Sequence, residues 1–232
     1  MTRLIRLHIT AEGQTEERFV KDTLARHLGL FQISTDVRRV LTSRDKRKNK
    51  SYRGGLINYE KAKKDIEIWL KEDNNPESFF TTMFDLYALP DNFPAYEESR
   101  AIADPYLRIK ALEKGFEDDI KHPRFIPYIQ LHEFEALVLA NPASLEVEYF
   151  ECQGAIERLG KVLLEVGGNP ELINDNLTTA PSKRILEVIP EYDKANAGAI
   201  IAGLNGVDFL KAKCPHFCEW LEKLERLSDG GS

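Results

Sequence analysis

The spacing of apolar residues alternates between strand-like and helix-like patterns over the first 141 residues. Apolar and polar side chains alternate over residues 3–10, which predicts a strand, and residues 15–28 carry an apolar stripe at helical spacing, which predicts a helix. Further strands are predicted at 31–42, 78–85 and 124–134, the last interrupted by Pro127, and further helices at 57–72 and 105–120. Strands that alternate with helices predict an α/β fold with a mostly parallel sheet flanked by helices.

The pattern changes after about residue 141. From there no strand is predicted, and apolar residues recur at helical spacing in short segments at 152–168, 181–189, 197–206 and 217–227. We therefore predict an α/β domain over residues 1–141 and a helical C-terminal portion over residues 142–232 that packs on it. Polar or proline-rich loops are predicted at 42–55 and 87–99.

The composition is that of a globular protein with a hydrophobic core. The chain has 232 residues, 42% of them hydrophobic, and a formal net charge of -6, so any nucleic-acid surface must be a local basic patch. Its three cysteines, Cys152, Cys214 and Cys218, fit a reducing compartment better than a disulfide framework, and the sequence has no Cys-x-x-Cys pair to support a zinc site. With no signal peptide or membrane span predicted, we expect a cytoplasmic protein.

Acidic residues stand where predicted strands end. Glu12 follows the first strand, Asp85 ends the third, and Glu133 and Glu135 follow the last. Ligands of open parallel sheets bind beyond the carboxyl ends of the strands, so we expect these acids to converge. Carboxylate oxygens with water and phosphate suit Mg²⁺ or Mn²⁺, and we predict a metal site from these four residues.

Capping is the alternative interpretation of each acid: helix capping for the glutamates, and capping of the turn that follows the strand for Asp85. Thr15, Glu16 and Glu17 fit a helix start after Glu12, where the helix dipole also favours a carboxylate. Residues two apart on a helix do not face the same way, so at most one of Glu133 and Glu135 is expected to be a ligand, and Glu133 is slightly favoured.

Several other residues are candidates for contacts to phosphate or nucleic acid. Tyr87 and His132 follow strands near the acids, and His132 is also a candidate ligand or base. In "APSKR", Ser182, Lys183 and Arg184 open a predicted helix, whose free N–H groups bind anions. For this segment a solvated basic face is the alternative.

The segment 42–55 carries the strongest positive run of the chain. Its basic residues are Arg44, Lys46, Arg47, Lys48, Lys50 and Arg53, and Tyr52 stands among them. The cations are suited to a nucleic-acid backbone and the tyrosine to stacking on a base. A mobile solvated loop without a partner is the alternative, with equal weight.

Five stretches resemble the DUF4276 family of bacterial proteins: "AEGQTEE", "FDLYALPDNFP", "FIPYIQLHEFEALVLANP", "APSKRI" and "CPHFCEWLEKL". The resemblance extends over nearly the whole chain. This family is regarded as a relative of the Toprim domain, the metal-binding fold shared by topoisomerases, primases and the overcoming-lysogenization-defect nucleases. The resemblance therefore implies a Toprim-like α/β domain.

A Toprim domain carries a glutamate and a glycine after its first strand and an Asp-x-Asp pair after a later strand. Glu12 and Gly13 match the first element and Asp85 matches the first aspartate, whereas Tyr87 stands where the second aspartate would be. The resemblance implies that Glu12 is a general acid or base and that Asp85 holds Mg²⁺. Glu133 or Glu135 is then the candidate for the missing ligand.

The leading hypothesis from the resemblance is a Mg²⁺-dependent nuclease that acts on phosphodiester bonds, with Glu12, Asp85 and Glu133 as catalytic residues. Family members are often encoded beside an AAA-type or ABC-type ATPase in what look like phage-defence loci, which implies an ATPase partner. One alternative is a non-catalytic effector or sensor subunit of an ATPase complex, which the Tyr87 substitution favours. Another is a nucleotidyltransferase or phosphotransferase. The choice between DNA and RNA stays open, as does the oligomeric state.

Overall fold

The computed structural model describes residues 3–40, 58–173 and 179–229. The candidate basic residues Arg44, Lys46, Arg47, Lys48, Lys50 and Arg53, together with Tyr52, lie outside the described residues. Their proposed contacts to nucleic acid therefore stay predictions from the sequence.

A parallel sheet of five strands forms the centre of the fold. Its strands are β1 (Ile5–Ala11), β2 (Ile33–Arg39), β3 (Ser78–Asp85), β4 (Phe125–Ile126) and β5 (Ile129–Gln130). The strand order is β2-β1-β3-β4, and β5 pairs with the end of β3. Since β1 lies between β2 and β3, the chain turns in opposite directions on its two sides. Such a switch point is where open α/β sheets bind ligands.

The predicted strand at 124–134 is shorter than expected and is divided in two. Pro127 has no N–H to donate to a ladder, which explains the break between β4 and β5. The hydroxyl of Thr82 replaces the missing ladder contacts: it donates to the Tyr128 carbonyl at 2.8 Å and accepts from the Tyr128 N–H at 3.0 Å. The two short strands therefore stay aligned with β3.

Helices cover both faces of the sheet. The chain forms α1 (Gln14–Phe19), a π-helical turn (Val20–Leu24), α2 (Ala25–Gly29), α3 (Tyr59–Glu72), α4 (Tyr96–Ser99), α5 (Pro105–Ile120) and α6 (Glu135–Val138). Then come α7 (Gln153–Glu165), α8 (Pro181–Val188), a π-helical turn (Lys194–Gly198), α9 (Ala199–Asn205), α10 (Val207–Lys213) and α11 (Pro215–Glu225). The α/β fold and the helical C-terminal region are confirmed, although α4 and α10 were not predicted.

The C-terminal helices share a hydrophobic core with β1. One core contains Ile5 and Leu7 of β1 together with Leu24, Ile201 of α9 and Leu221 of α11. The opposite face of the sheet packs against α3 and α5 in a second core. Because α9 lies against α1, the turn that precedes α9 comes close to the carboxyl end of β1. None of the helices in the described ranges is both long and apolar enough to cross a membrane.

Candidate functional site

Two predicted acids meet at the carboxyl ends of β1 and β3. Glu12 directly follows β1, and Asp85 is the last residue of β3. The Asp85 N–H donates to Glu12 Oε2 at 2.9 Å, and the Glu12 N–H donates to the Met83 carbonyl at 3.1 Å. The sheet therefore brings together residues 73 positions apart in the chain. The predicted convergence of Glu12 and Asp85 is present, at the switch point of the sheet.

The third acid of the site is Glu135, the first residue of α6. Its side chain is fully buried, and Tyr192 donates its hydroxyl to Glu135 Oε1 at 3.4 Å. Glu133 faces elsewhere, because its Oε2 accepts the Ser182 N–H at the start of α8 at 2.9 Å. The two glutamates thus face different ways, although Glu133 precedes α6 and the helical spacing used for the prediction does not apply to this pair. The structure brings Glu135, rather than the slightly favoured Glu133, to the same cation as Asp85.

Lys194 provides that cation, and sequence reasoning missed it. Its Nζ lies 2.8 Å from Glu135 Oε2 and 3.3 Å from Asp85 Oδ2. The residue opens the π-helical turn Lys194–Gly198, which Asp193 caps by accepting the N–H groups of the two residues after Lys194. The sequence signal is limited to Asp193 as a helix cap, which says nothing about what an adjacent lysine contacts.

Glu16 is the fourth acid near this group. It is 3% exposed, and its Oε2 accepts the Gly13 N–H at 2.9 Å in the capping arrangement that the sequence allowed. Glu17 lies outside the cluster, since its carboxylate pairs with Lys21 and Arg39 at the surface. We refer below to Glu12, Glu16, Asp85, Glu135 and Lys194 as the acid–lysine cluster.

Burial and mutual repulsion control the charge of the acid–lysine cluster. Burial raises the pKa of Asp85 well above the usual value, Lys194 opposes this shift, and the other three acids add to it. Burial likewise raises the pKa of Glu135 and of Glu16, against the opposing effect of Lys194. Burial disfavours the charged form of Lys194, but the neighbouring acids outweigh it and hold the pKa of its ammonium well above the usual range. Such perturbed, coupled groups are typical of functional sites.

The donor set suits a divalent cation with few protein ligands. Asp85 is 4% exposed, and its Oδ1 is buried with no hydrogen-bond partner, although the large majority of buried polar atoms have one. Over the described ranges, no set of three or more His, Cys, Asp or Glu side chains is arranged to hold a metal ion. Mg²⁺ usually binds one or two carboxylates and completes its shell with water and phosphate. Glu12 and Asp85 fit that requirement.

Tyr87 and His132 form a stacked pair beside Asp85. Their ring centroids are 5.5 Å apart with the planes 29° from parallel, and the Tyr87 N–H donates to the His132 carbonyl at 3.1 Å. His132 has a positive φ of 65°, a backbone conformation that is uncommon for residues other than glycine. Burial lowers the pKa of His132 to about 4, and Arg108 lowers it further. His132 is therefore neutral near pH 7 and would contact a phosphate as a hydrogen-bonding group, not as a cation.

The predicted phosphate clamp at α8 is only partly open to a ligand. Glu133 already accepts the Ser182 N–H, and the Arg184 Nε donates to the Thr179 carbonyl at 3.3 Å. Lys183 is exposed. An anion that bound the Ser182 N–H would have to displace a carboxylate of the protein itself. The geometry thus assigns Glu133 and Ser182 a helix-capping contact.

The cysteine-rich start of α11 has a structural explanation. All three cysteines are free thiols, and Cys214 is buried. The His216 Nε2 lies 2.9 Å from Glu113, and Glu171 accepts the N–H groups of His216 and Phe217 at 2.9 and 3.0 Å. These contacts anchor the N-terminus of α11.

Comparison with known proteins identifies a family without a function. The family model described as "Domain of unknown function (DUF4276)" matches residues 11–225, which includes every member of the acid–lysine cluster. Neither the curated proteins nor the solved structures contain a significant match to the chain. The chemistry must therefore be inferred from the site itself.

Proposed function

This chain belongs to the DUF4276 family, and we propose that it is a nuclease that depends on Mg²⁺ or Mn²⁺ and hydrolyses phosphodiester bonds. One observation carries the proposal. Glu12 and Asp85 meet at the switch point of a parallel sheet, and the buried Asp85 Oδ1 lacks a hydrogen-bond partner. A hard cation is the natural partner for such an oxygen.

Glu12 and Asp85 would hold the ion, with Glu135 behind Asp85. A bound divalent ion supplies polarisation of the scissile phosphate and a lowered pKa for water. Glu12 is oriented by the Asp85 N–H, and its half-buried carboxylate is placed to take the proton of the attacking water. Asp85 is held by its backbone and by Lys194, so the chain fixes both acids before any ligand arrives.

A Toprim-like relationship is part of the proposal. Its support is the order of the residues: Glu12 and Gly13 follow β1, and Asp85 ends β3, as in the Toprim pattern. Tyr87 at the second aspartate position departs from it, and Glu135 of α6 supplies an acid from a different element. The Toprim-like function thus rests on Glu12 and Asp85, and Glu135 takes the place for which Glu133 was the favoured candidate.

The central test replaces each acid by its amide. Glu12→Gln and Asp85→Asn keep the size of the side chains but remove the negative charge, so each change alone should abolish metal-dependent cleavage of DNA or RNA. The double variant should lose no more activity than either single variant, because cleavage needs both acids together. Glu17→Gln is the matched control, since Glu17 lies in α1, shortly after Glu12, but pairs at the surface.

Cleavage and thermal melting should be measured on the same preparations, with a co-encoded ATPase added where one exists. Variants that melt normally and still cleave would eliminate Glu12 and Asp85 as catalytic residues. Wild-type protein that cleaves neither DNA nor RNA, alone or with the ATPase, would favour a non-catalytic effector or sensor subunit. Turnover of nucleotides without strand cleavage would favour the nucleotidyltransferase or phosphotransferase alternative.

We further propose that nucleic acid is the substrate and that an AAA-type or ABC-type ATPase is a protein partner. We also propose that the protein acts in the cytoplasm in phage defence. The support for nucleic acid is the basic run of segment 42–55. This segment begins two residues after Val40 in the sequence, and the Val40 N–H donates to the carbonyl of Ala11, the residue before Glu12. Replacing Lys46, Arg47 and Lys48 by alanine should flatten the salt dependence of nucleic-acid binding, since fewer counterions are released. An unchanged slope in a binding assay at several salt concentrations would reject the contact.

A further inference from the structure

Lys194 pairs with two buried acids, which distinguishes it from the lysine of an ordinary surface ion pair. Its ammonium bridges Asp85 Oδ2 and Glu135 Oε2, and these two acids are 4% and 0% exposed. Ionised carboxylates at such depth are costly unless a cation or hydrogen bonds compensate them. Within the described part of the chain, Lys194 is the cationic side chain that contacts both acids. It therefore carries the compensation of the buried pair.

The backbone of Lys194 is held in place, while its side chain as a whole is partly exposed. Thr15 of α1 donates its hydroxyl to the Lys194 carbonyl at 3.3 Å, and Asp193 caps the turn that Lys194 opens. Gly198 ends that turn, and a Cβ there would lie 3.0 Å from the Tyr192 hydroxyl and 3.2 Å from the Thr15 methyl group, so the turn lies tightly on α1. The side chain of Lys194 is nevertheless 41% exposed, and a four-carbon stem can withdraw its ammonium without moving the turn.

We propose that Lys194 is an internal counter-cation, which keeps the acid–lysine cluster assembled without a divalent ion and competes with that ion for the same carboxylates. The inference rests on the proposed function, because the competing ion is the one assigned to Glu12 and Asp85. Two observations support it independently of that assignment. Lys194 occupies one oxygen of Asp85 while the other, Oδ1, has no hydrogen-bond partner, and three acids, Asp85, Glu135 and Glu16, act on this one lysine.

The physical consequence is a trade between stability and ion affinity. An ammonium 3.3 Å from Asp85 Oδ2 repels any second cation bound to the same carboxylate. Removing the charge should therefore tighten ion binding, while leaving the metal-free protein with buried acids that lack a counter-charge. A lysine that only orients the acids would have the opposite effect, since its removal would weaken ion binding.

The experiment compares Lys194→Met, Lys194→Arg and wild-type full-length protein. Lys194→Met keeps the length of the side chain without its charge, and Lys194→Arg keeps the charge. Lys161→Met on α7 is the matched control, because Lys161 is exposed and far in sequence from the cluster. The probes are MgCl₂ and MnCl₂ alone, titrated by calorimetry, and thermal melting with a chelator or with MgCl₂.

Lys194→Met should bind Mg²⁺ about tenfold more tightly or better, because a like charge a few ångströms away is removed. It should melt below wild type in chelator and regain most of the loss in MgCl₂, whereas Lys194→Arg and Lys161→Met should behave as wild type. If Lys194→Met folds in neither condition, the double variant Lys194→Met/Glu135→Gln removes one charge of each sign, and it should still bind Mg²⁺ more tightly than Glu135→Gln alone.

The outcomes separate this inference from the proposed function. Equal or weaker Mg²⁺ binding by Lys194→Met, with clear binding by wild type, would overturn the counter-cation and leave the metal site standing. No Mg²⁺ or Mn²⁺ binding by any variant, Lys194→Met included, would overturn both. Tighter binding together with unchanged melting in chelator would also refute the inference, because assembly of the metal-free cluster would then not depend on the lysine.

Discussion

Asp85→Asn should stabilise the metal-free protein at neutral pH. Burial and the neighbouring acids hold the pKa of Asp85 above the usual aspartate value, so the fold favours the neutral form of this side chain. An asparagine of nearly the same shape is always neutral and can still accept from Lys194. The change therefore removes a destabilising charge from the site that we propose to bind the metal.

The sign of the pH dependence follows from the direction of the shift. A carboxyl group whose folded pKa lies above its unfolded value contributes stability at pH values below the unfolded pKa, and this contribution is lost as pH rises through the folded pKa. Asp85→Asn should therefore match wild type at about pH 4 and exceed it increasingly toward about pH 8. Stabilising substitutions of this kind commonly raise the free energy of unfolding by about 0.5–2 kcal/mol. For a chain of this size each kcal/mol raises Tm by about 2–4 °C.

The assay is thermal melting of wild type and Asp85→Asn across that pH range, in chelator and in MgCl₂. Mg²⁺ should raise the melting temperature of wild type by binding the folded state, and this gain should be lost in the variant. A variant that melts below wild type at about pH 8 in chelator would refute the charge argument, because it would show that the Asp85 carboxylate is net stabilising. A decrease of about 1 kcal/mol in the free energy of unfolding, the usual cost of removing a cap, would indicate instead that Asp85 caps the following turn.

Two further predictions concern residues outside the acid–lysine cluster. Glu133→Ala should cost about 1 kcal/mol of unfolding free energy through the lost contact to the Ser182 N–H, without changing Mg²⁺ affinity measured by calorimetry; a lost affinity would return Glu133 to the metal site. Gly115→Ala should destabilise by about 1–3 kcal/mol in thermal melting, because its Cβ would lie 2.7 Å from the Ala95 Cβ. Gly160→Ala, with nothing within 4 Å, is the control and should stabilise by about 1 kcal/mol; equal effects would refute the packing argument.

The meeting of Glu12 and Asp85 was predictable because it depends on strands alone. Apolar periodicity locates strand ends, and parallel strands put their carboxyl ends at one edge of the sheet. The sequence also predicted that at most one of Glu133 and Glu135 faces the site, although its helical argument does not apply because Glu133 precedes α6. It could not show which one does, since this depends on where α8 lies: its first N–H groups take Glu133 and leave Glu135 for the cluster.

Lys194 was not predictable for a different reason. It is 109 residues from Asp85 in the chain and reaches it only because α9 packs on α1. α9 also lies close to the π-helical turn that follows α1, where a Cβ at Gly203 would lie 2.7 Å from the Thr23 hydroxyl. Local patterns predict that these segments are helical, but they carry no information about which helices touch. A lysine in a capped turn is therefore indistinguishable, in sequence, from any solvated lysine.

The energetic cost of the acid–lysine cluster bears on the choice between a working nuclease and a decayed site. A subunit that no longer bound metal would be more stable with neutral side chains at Asp85 and Glu135, because burial raises the pKa of both carboxyl groups. It would also have no need of a buried oxygen without a partner, which Asp85 Oδ1 is. Buried, mutually repelling acids at a sheet switch point are typical of functional sites, and carboxylates are ligands that Mg²⁺ prefers. Lys194 already contacts Asp85 and Glu135, so the Mg²⁺ titrations of wild type and Lys194→Met decide between a site that binds an ion and one in which the lysine has replaced it.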